Sequence, residues 1–513
     1  MDTGDGKEMT EKRAIKPVGR IPNNYKDFEN FGKELYSNIE DVCSGVERAL
    51  YARVITQIDK DEKIFQISLI TDYMIKRDKA FIETVKKADM ADNTDNISVW
   101  ENVKGYHPYF LEFYTDPIKS PNVRFLNSLK GTWVEAKLIS SDVKTPISDN
   151  NDVIIRGTLV FGASRSRERH MQLLITRNKG IPEISIDRMW EELKSGEYKA
   201  IAKIIQDNWL LAFQNINNLK CTIYNVGQGN CVLLQDGHGT ESFFDVGLSV
   251  RYSYNKPISD KDVYDNSIAR EKTFINRVRK KLSLCKPKWI MLSHWHDDHL
   301  LGIGDINEDD SGCVDPDYNV YSHCYWIAPH VALLKKKPRD FLIRLAYYLL
   351  ANHTLWLVNS KEREFSVEKT SDGRFSLWQG TLIDYKGKSA GQVANDTGII
   401  LQIHNENEEQ ELQDVLFLGD CSFEQIPANV KAGKFRLFVT SHHGSKETVP
   451  DLLACKDAQA IVSVGNNCYK HPSPQHMAKL LEDGFDIAFT LVCHCLETDI
   501  RFGHNIGELT RVK

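Results

Sequence analysis

Three imidazoles and two carboxylates lie within the six residues from His294 to His299, in the sequence Ser-His-Trp-His-Asp-Asp-His. A single tight loop of this kind can present several ligands to a metal ion at about 2.0 to 2.2 Å. The apolar run KWIML comes directly before it and predicts a strand that orients the loop. A solvated polar loop would explain the composition but not the strand. The pattern therefore predicts a metal site on residues 293–299, which we call the His loop.

Other polar residues also follow apolar runs. Asp245 closes the run SFFD, Asp420 closes VLFLGD, and His442 and His443 follow FRLFVTS. Loops at strand ends converge on one edge of a layered α/β fold, so we expect these side chains to lie near the His loop. For Asp245 the alternative is a residue that starts a turn, and for Asp420 it is the N-cap of a following helix.

The elements that must position these residues divide the chain in two. From residue 221 onward, apolar strands alternate with turns and helices, which predicts an α/β domain. Before it, residues 25–87 show helical apolar spacing, residues 99–184 show β-type runs, and residues 188–216 are helical again. We predict a flexible tail at residues 1–24, a mixed α+β N-terminal domain of unknown role at 25–216, and a hydrolase domain at 217–513.

Composition bounds the class of protein. The chain has 513 residues and a net charge of −6, so a nucleic-acid partner would need a local basic patch. The polar N-terminus lacks the apolar region of a secretory signal, and Arg344, Asn352 and His353 interrupt the apolar stretch 341–358. The eleven scattered cysteines favour reduced thiols. We therefore predict a cytoplasmic protein with no membrane segment.

The His loop resembles the metallo-β-lactamase superfamily, whose pattern His-x-His-x-Asp-His matches at His294, His296, Asp298 and His299. The resemblance implies an α/β fold with an αββα sandwich in the C-terminal half. It also implies that the first two histidines bind one metal ion and that the aspartate and last histidine bind a second. Asp297 occupies the variable position of the pattern, and we assign it no role.

Further blocks resemble the nuclease-like domain of the ComEC DNA-uptake family over about residues 219–511. The blocks occur in the same order: NVGQGNCVLLQDG, SFFDVG, VANDTGIILQI, VLFLGDCS, VTSHHGS and VSVGNNCYKHPSP. This resemblance implies that Asp245 supports the His loop and that Asp420 bridges two cations. It also implies that one of His442 and His443, with His443 preferred, binds the second metal and that the other contacts the substrate or the scissile phosphate.

Three smaller assignments accompany this resemblance. Gly229 lies in a turn where a bulky side chain would block close approach of the backbone. His471 is a candidate acid or substrate contact. Many superfamily members have another metal-binding histidine where this chain has Asn395 and Asp396. Oxygen ligands there would favour harder ions, so both Zn and Mn stay open as the two divalent metal ions.

The predicted activity is a nuclease or phosphodiesterase in which a metal-bridging hydroxide attacks the substrate. Asp298 would orient the hydroxide, and His443, His442 or His471 would assist the leaving oxygen. One alternative is hydrolysis of a small phosphodiester or other ester. Another is an effector subunit of a bacterial defence system whose N-terminal half binds a protein partner. The basic cluster Arg165, Arg167, Arg169 and His170 could meet phosphates, although a solvated loop is the competing interpretation.

Overall fold

The computed structural model describes most of the chain, and the first residues of the N-terminal half lie outside it, among them the predicted tail at residues 1–24. The described residues are 37–44, 49–59, 63–90, 106, 108–140, 153–162, 167–176, 184–195, 199–227, 229–247, 285, 287–300, 302, 324–334, 336–358, 366–381, 386–446, 451–465 and 471–512.

A closed six-stranded barrel occupies the N-terminal half, with the strand order β1-β2-β3-β5-β6-β4. Every pairing in it is antiparallel. Gly157 is required at its place on β5, because a Cβ there would come within 2.1 Å of the carbonyl oxygen of Tyr114 on β3. The strands are β1 (Leu50–Asp59), β2 (Ile64–Thr71), β3 (Phe110–Thr115), β4 (Trp133–Ser140), β5 (Val153–Gly162) and β6 (Arg167–Ile175).

The predicted helical opening is wrong for β1 and β2. Residues 37–43 and α1 (Asp72–Met90) are helical, but the segments LYARVITQID and IFQISLIT between them form an antiparallel pair. Both segments are rich in β-branched residues, and their burial in the barrel outweighs any helical spacing. The later helical zone is confirmed by α3 (Ser185–Ser195) and α4 (Lys199–Ala212), and α2 (Ser120–Ser128) lies between β3 and β4.

Two larger sheets make up the rest of the described chain, which is a mixed α/β structure. The eight-stranded sheet has the order β12-β11-β10-β9-β8-β7-β20-β21, and the seven-stranded sheet the order β13-β14-β15-β16-β17-β18-β19. Apolar side chains from both sheets form one core, in which the rings of Phe244 and Phe417 lie 5.7 Å apart. The first eight strands in chain order are β7 (Asn218–Tyr224), β8 (Cys231–Asp236), β9 (Glu241–Val246), β10 (Trp289–Met291), β11 (Tyr325–Pro329), β12 (Leu355–Val358), β13 (Ser366–Lys369) and β14 (Phe375–Gln379). The others are β15 (Ile399–Ile403), β16 (Asp414–Phe417), β17 (Lys434–Val439), β18 (Leu453–Val462), β19 (Asp486–Phe489), β20 (Cys495–Arg501) and β21 (Thr510–Val512).

Helices pack against both sheets. All residues of α5 (Asp340–Ala351) are buried, because the helix lies in a core that includes side chains of the barrel and of the eight-stranded sheet. The helices α6 (Ala390–Asp396), α7 (Ala428–Lys431) and α8 (Pro474–Glu482) accompany the seven-stranded sheet. The predicted division near residue 217 stays a prediction. None of the helices in the described ranges has the length and apolarity needed to span a membrane.

The strand directions bring the polar strand ends together. β9 runs parallel to β10, and β16 runs parallel to β17. Parallel neighbours end at the same edge of a sheet, and because the two sheets share a core, their edges meet. Asp245, the His loop, Asp420 and the His442–His443 pair all follow or end these four strands.

Candidate metal centre

The His loop follows β10, and its last three residues, Asp297–His299, form a short 3-10 turn. Its preceding residue, His296, has an extended backbone. The side chains of His294 and His299 are fully buried, while Asp298 keeps about a fifth of its side chain exposed (21%). The loop therefore directs two imidazoles and a carboxylate toward one small volume.

Four of the predicted ligands form one cluster: Asp298, His299, Asp420 and His443. His299 Nε2 lies 3.1 Å from Asp420 Oδ1, and His443 Nε2 lies 3.4 Å from Asp298 Oδ2. All four ligand atoms lie within 4.8 Å of one another, a spacing that suits coordination of one ion at about 2 Å. We call this group the second cluster.

His294, His296 and Asp420 form another group, the first cluster. His294 Nε2 lies 2.8 Å from His296 Nδ1 and 3.9 Å from Asp420 Oδ2. Asp420 belongs to both groups, and its two oxygens divide between them, since Oδ1 faces His299 and Oδ2 faces His294. A carboxylate placed this way can bridge two cations.

The hydrogen bonding of these atoms tests whether a cation fits. Asp420 Oδ1 and His299 Nε2 are both buried, and neither makes a hydrogen bond although they are 3.1 Å apart. A buried polar atom without a partner costs about 1–3 kcal/mol. A cation between them would satisfy both atoms, so the residues present fit the metal ions that the sequence pattern implies.

Asp245 supports the His loop through hydrogen bonds. It accepts hydrogen bonds from the backbone nitrogen of Ser293 at 2.7 Å and from the Ser293 hydroxyl at 2.8 Å. Its other contact is with His299 Nδ1, at 2.7 Å. A carboxylate on Nδ1 places the proton there and leaves Nε2 free to coordinate, so Asp245 orients His299 toward the second cluster.

His443 is oriented in the same way by a backbone carbonyl. Its Nδ1 lies 2.7 Å from the oxygen of Ser463, and the Ser463 hydroxyl donates to the carbonyl of Gly229 at 2.6 Å. His442 and His443 both have left-handed backbones, with φ of 47° and 54°. This conformation is uncommon for residues other than glycine and concentrates at functional sites.

His442 and His471 lie beside the clusters without belonging to them. His442 Nε2 is 3.7 Å from Asp420 Oδ2, and its ring centroid is 5.3 Å from that of His471. Burial and the neighbouring His442 lower the pKa of His471 to about 4. His471 is therefore neutral at neutral pH.

Asp396 lies near the site but belongs to neither cluster. Its carboxylate accepts hydrogen bonds from the hydroxyl of Ser422 and from the ammonium of Lys388, each at 2.5 Å. Because Ser422 follows Asp420 by two residues, Asp396 steadies the turn that carries the bridging carboxylate. The neighbouring Asn395 is buried, and its Oδ1 has no hydrogen-bond partner.

The charges of the metal-free site divide the histidines into two kinds. Burial lowers the pKa of His294 and of His296. Burial also opposes the charge on His299, but Asp420, Asp245 and Asp298 outweigh it and raise the pKa of His299 well above its usual value. The pKa of His443 is raised too, because Asp298 and Asp420 outweigh its burial. The imidazoles of the second cluster therefore hold a proton more readily than those of His294 and His296.

One contact network could not be read from the sequence. Asp297, at the variable position of the motif, accepts a hydrogen bond from Arg339 Nη1 at 2.7 Å. The same guanidinium binds Glu112 on barrel strand β3, with Nε 2.9 Å from Oε1. Arg339 lies in the run KKKPRD, and this pattern indicates a basic segment but no particular partner.

The basic cluster proposed for phosphate contact is partly engaged elsewhere. Arg169 pairs with Glu40, and His170 Nε2 lies 3.6 Å from Asp116 Oδ2. Arg165 lies outside the described residues. Arg169 and His170 lie on β6, and their acidic neighbours favour a structural role on the barrel surface over phosphate contact.

Solved structures similar to this chain include two proteins whose likeness is partial. A long-form RNase Z from yeast matches 55% of this chain at 13% identity with a TM-score of 0.23, and the match spans 40% of the yeast chain. The metallo-β-lactamase MIM-1 from Novosphingobium pentaromativorans matches 52% of this chain and 75% of its own length, at 10% identity and a TM-score of 0.19. With TM-scores this low, neither likeness defines the fold or activity of this chain. No protein-family model and no curated protein matches the sequence.

Proposed function

We propose that the protein is a dinuclear metal-dependent hydrolase, with the metallo-β-lactamase αββα sandwich in residues 217–513, and that it cleaves phosphodiesters. The observation that carries this proposal is the division of Asp420 between two ligand clusters, one oxygen to each. The buried atoms without partners at the junction add to it. A structural aspartate at a strand end would need neither feature.

Two divalent ions, Zn or Mn, would be held by the two clusters, where they would lower the pKa of a water molecule and stabilise charge on the attacked group. Residues of the chain around the clusters orient the metal ligands. Asp245 and the carbonyl of Ser463 fix the tautomers of His299 and His443, so both Nε2 atoms face the second cluster. Asp298 keeps 21% of its side chain exposed, so a substrate could reach the centre beside it.

His442 and His471 are the candidates for contact with the leaving oxygen. Both lie on the Asp420 side of the site. Because burial and His442 keep the pKa of His471 near 4, His471 meets the substrate as a neutral imidazole that can donate one hydrogen bond. It does not act as a charged acid at neutral pH.

A phosphodiester is favoured over other esters by the ComEC-like blocks around the ligands. Ser445 and Lys446, directly after the His442–His443 pair, add a hydroxyl and an exposed ammonium next to the site. Such groups bind phosphate oxygens. DNA or RNA is the proposed substrate, and a protein partner bound through the N-terminal half stays a prediction.

The test is metal analysis combined with activity on DNA, on RNA and on a short chromogenic phosphodiester, with Mn²⁺ and with Zn²⁺. His296→Ala removes a ligand of the first cluster only, and Asp420→Ala removes the shared ligand. We expect the wild type to hold two ions and His296→Ala to hold one. Both variants should lose at least about a hundredfold in activity, as loss of a group that stabilises charge at the reacting centre does.

His238→Ala is the matched control, since His238 is an exposed residue in the turn after β8 and belongs to neither cluster. It should keep full activity and metal content. Retained activity in both His296→Ala and Asp420→Ala would refute the proposal. Cleavage of the chromogenic diester without cleavage of DNA or RNA would point to a small diester as the substrate.

A further inference from the structure

The start of helix α5 is joined to the N-terminal half by buried ion pairs. Asp340 binds Arg53 on β1, and Arg344 Nη2 lies 2.9 Å from Asp78 Oδ2 on α1. Arg339 binds Glu112 on β3. Buried charges tolerate little displacement, because a partner that moves away leaves an uncompensated charge. The position of α5 is therefore tied to the barrel.

Arg339, unlike Arg344, contacts both the barrel and the His loop. Its Nε donates to Glu112 Oε1 at 2.9 Å, and its Nη1 donates to Asp297 Oδ2 at 2.7 Å. Glu112 is itself held by Gln66 Nε2 at 3.2 Å and by the Tyr114 hydroxyl at 2.5 Å. The planar guanidinium thus joins a rigid carboxylate in the barrel wall to one in the His loop.

Asp297 is the first residue of the 3-10 turn, and the next residue is the ligand Asp298. A displacement of Asp297 would therefore displace Asp298 and change its approach to His443, which is now 3.4 Å away. Asp297 belongs to neither ligand cluster, and its orientation toward Arg339 accounts for that.

We propose that Arg339 is a positioning residue through which the barrel sets the place of Asp298, and so the affinity of the second cluster for its metal ion. This inference rests on the proposed metal-dependent function. It gives the N-terminal half a defined part in that function, namely to hold Asp297 of the His loop through Glu112 and Arg339.

The test measures metal affinity by competition of Zn²⁺ against a chromogenic chelator, and ligand geometry by the visible spectrum of the Co²⁺-loaded protein. Two variants of the full chain break the bridge at different points. Arg339→Lys keeps the charge but cannot serve both carboxylates in the same planar geometry. Asp297→Ala leaves the Arg339–Glu112 pair in place, so the barrel interface keeps its charge balance.

We expect each variant to bind the more weakly held Zn²⁺ about tenfold less tightly, at the lower end of what loss of a ligand's supporting contact causes. The Co²⁺ spectrum should shift as well. The double variant should lose no more than the single ones, because both remove the same bridge. Arg344→Lys is the matched control: it alters a buried ion pair on the same helix but does not touch the His loop, and its metal affinity should equal that of the wild type.

Unchanged Zn²⁺ affinity and an unchanged Co²⁺ spectrum in Asp297→Ala would overturn this inference while leaving the proposed function standing. An equal loss of affinity in Arg344→Lys would also overturn it, because the effect would then come from general loosening of α5. Absence of both Zn²⁺ and Mn²⁺ binding by the wild type would instead refute the proposed function itself.

Discussion

Asp420 shows how much of the site depends on the placement of single atoms. Its Oδ1 lies 3.1 Å from His299 Nε2, while its Oδ2 lies 3.9 Å from His294 Nε2 and 3.7 Å from His442 Nε2. The sequence could suggest Asp420 as a ligand because it ends an apolar run. The sequence could not show how its oxygens divide between the clusters, since that depends on the packing of two sheets.

The two kinds of histidine give a pH prediction. In the metal-free protein the raised pKa values of His299 and His443 favour the protonated rings, whereas the lowered pKa values of His294 and His296 favour neutral ones. Metal binding should therefore release protons from the second cluster, and metal affinity should rise with pH. Titration calorimetry in buffers of different ionisation enthalpy measures this release.

The same two histidines, His299 and His443, determine how the stability of the metal-free protein changes with pH. A raised pKa stabilises the fold fully below the unfolded value near 6.5, and this contribution is lost as pH rises through the folded pKa. The His443→Gln variant should release fewer protons than the wild type on binding metal, because it lacks one of the two rings with a raised pKa. A binding enthalpy that does not depend on the buffer would contradict the assignment.

At the scale of the elements, short sequence windows predicted individual helices and strands but not the pairing of distant strands. The strand before the His loop and the helices α3 and α4 followed from apolar spacing within short windows. Closure of the barrel could not be predicted in this way, because it depends on the pairing of β1 with β4. These two strands are separated by more than seventy residues along the chain. The Arg339–Asp297 contact was hidden for the same reason, since its partners lie 42 residues apart.

The turn that carries His442 and His443 gives a stability prediction. His442 has φ 47° and ψ 45°, a conformation that costs residues other than glycine roughly 1 kcal/mol or more. His442→Gly should therefore have a free energy of unfolding about 1 kcal/mol higher than His442→Ala, with both lacking the imidazole. Urea denaturation of the two variants tests this, and equal stability would show that the turn is not strained.

At the scale of the whole molecule, the barrel packs against the eight-stranded sheet. One apolar core includes Phe65 and Phe113 from the barrel and Ile290 and Trp326 from the eight-stranded sheet. The predicted boundary near residue 217 follows the order of the elements along the chain, but this core crosses it. Composition along the chain could not show this, because an apolar residue does not reveal which side of a boundary it packs against.

Residues 217–513 expressed alone should therefore fail to fold stably. Removal of the N-terminal half would expose the apolar face around α5 and leave Arg339, Asp340 and Arg344 without Glu112, Arg53 and Asp78. Loss of one partner of a buried ion pair costs about 3–5 kcal/mol, so three such losses approach the 5–15 kcal/mol that stabilises a typical domain. Soluble yield and thermal unfolding, with the full chain as control, measure the effect. A soluble monomeric fragment that melts at the temperature of the full chain would show that the barrel is an independent attachment.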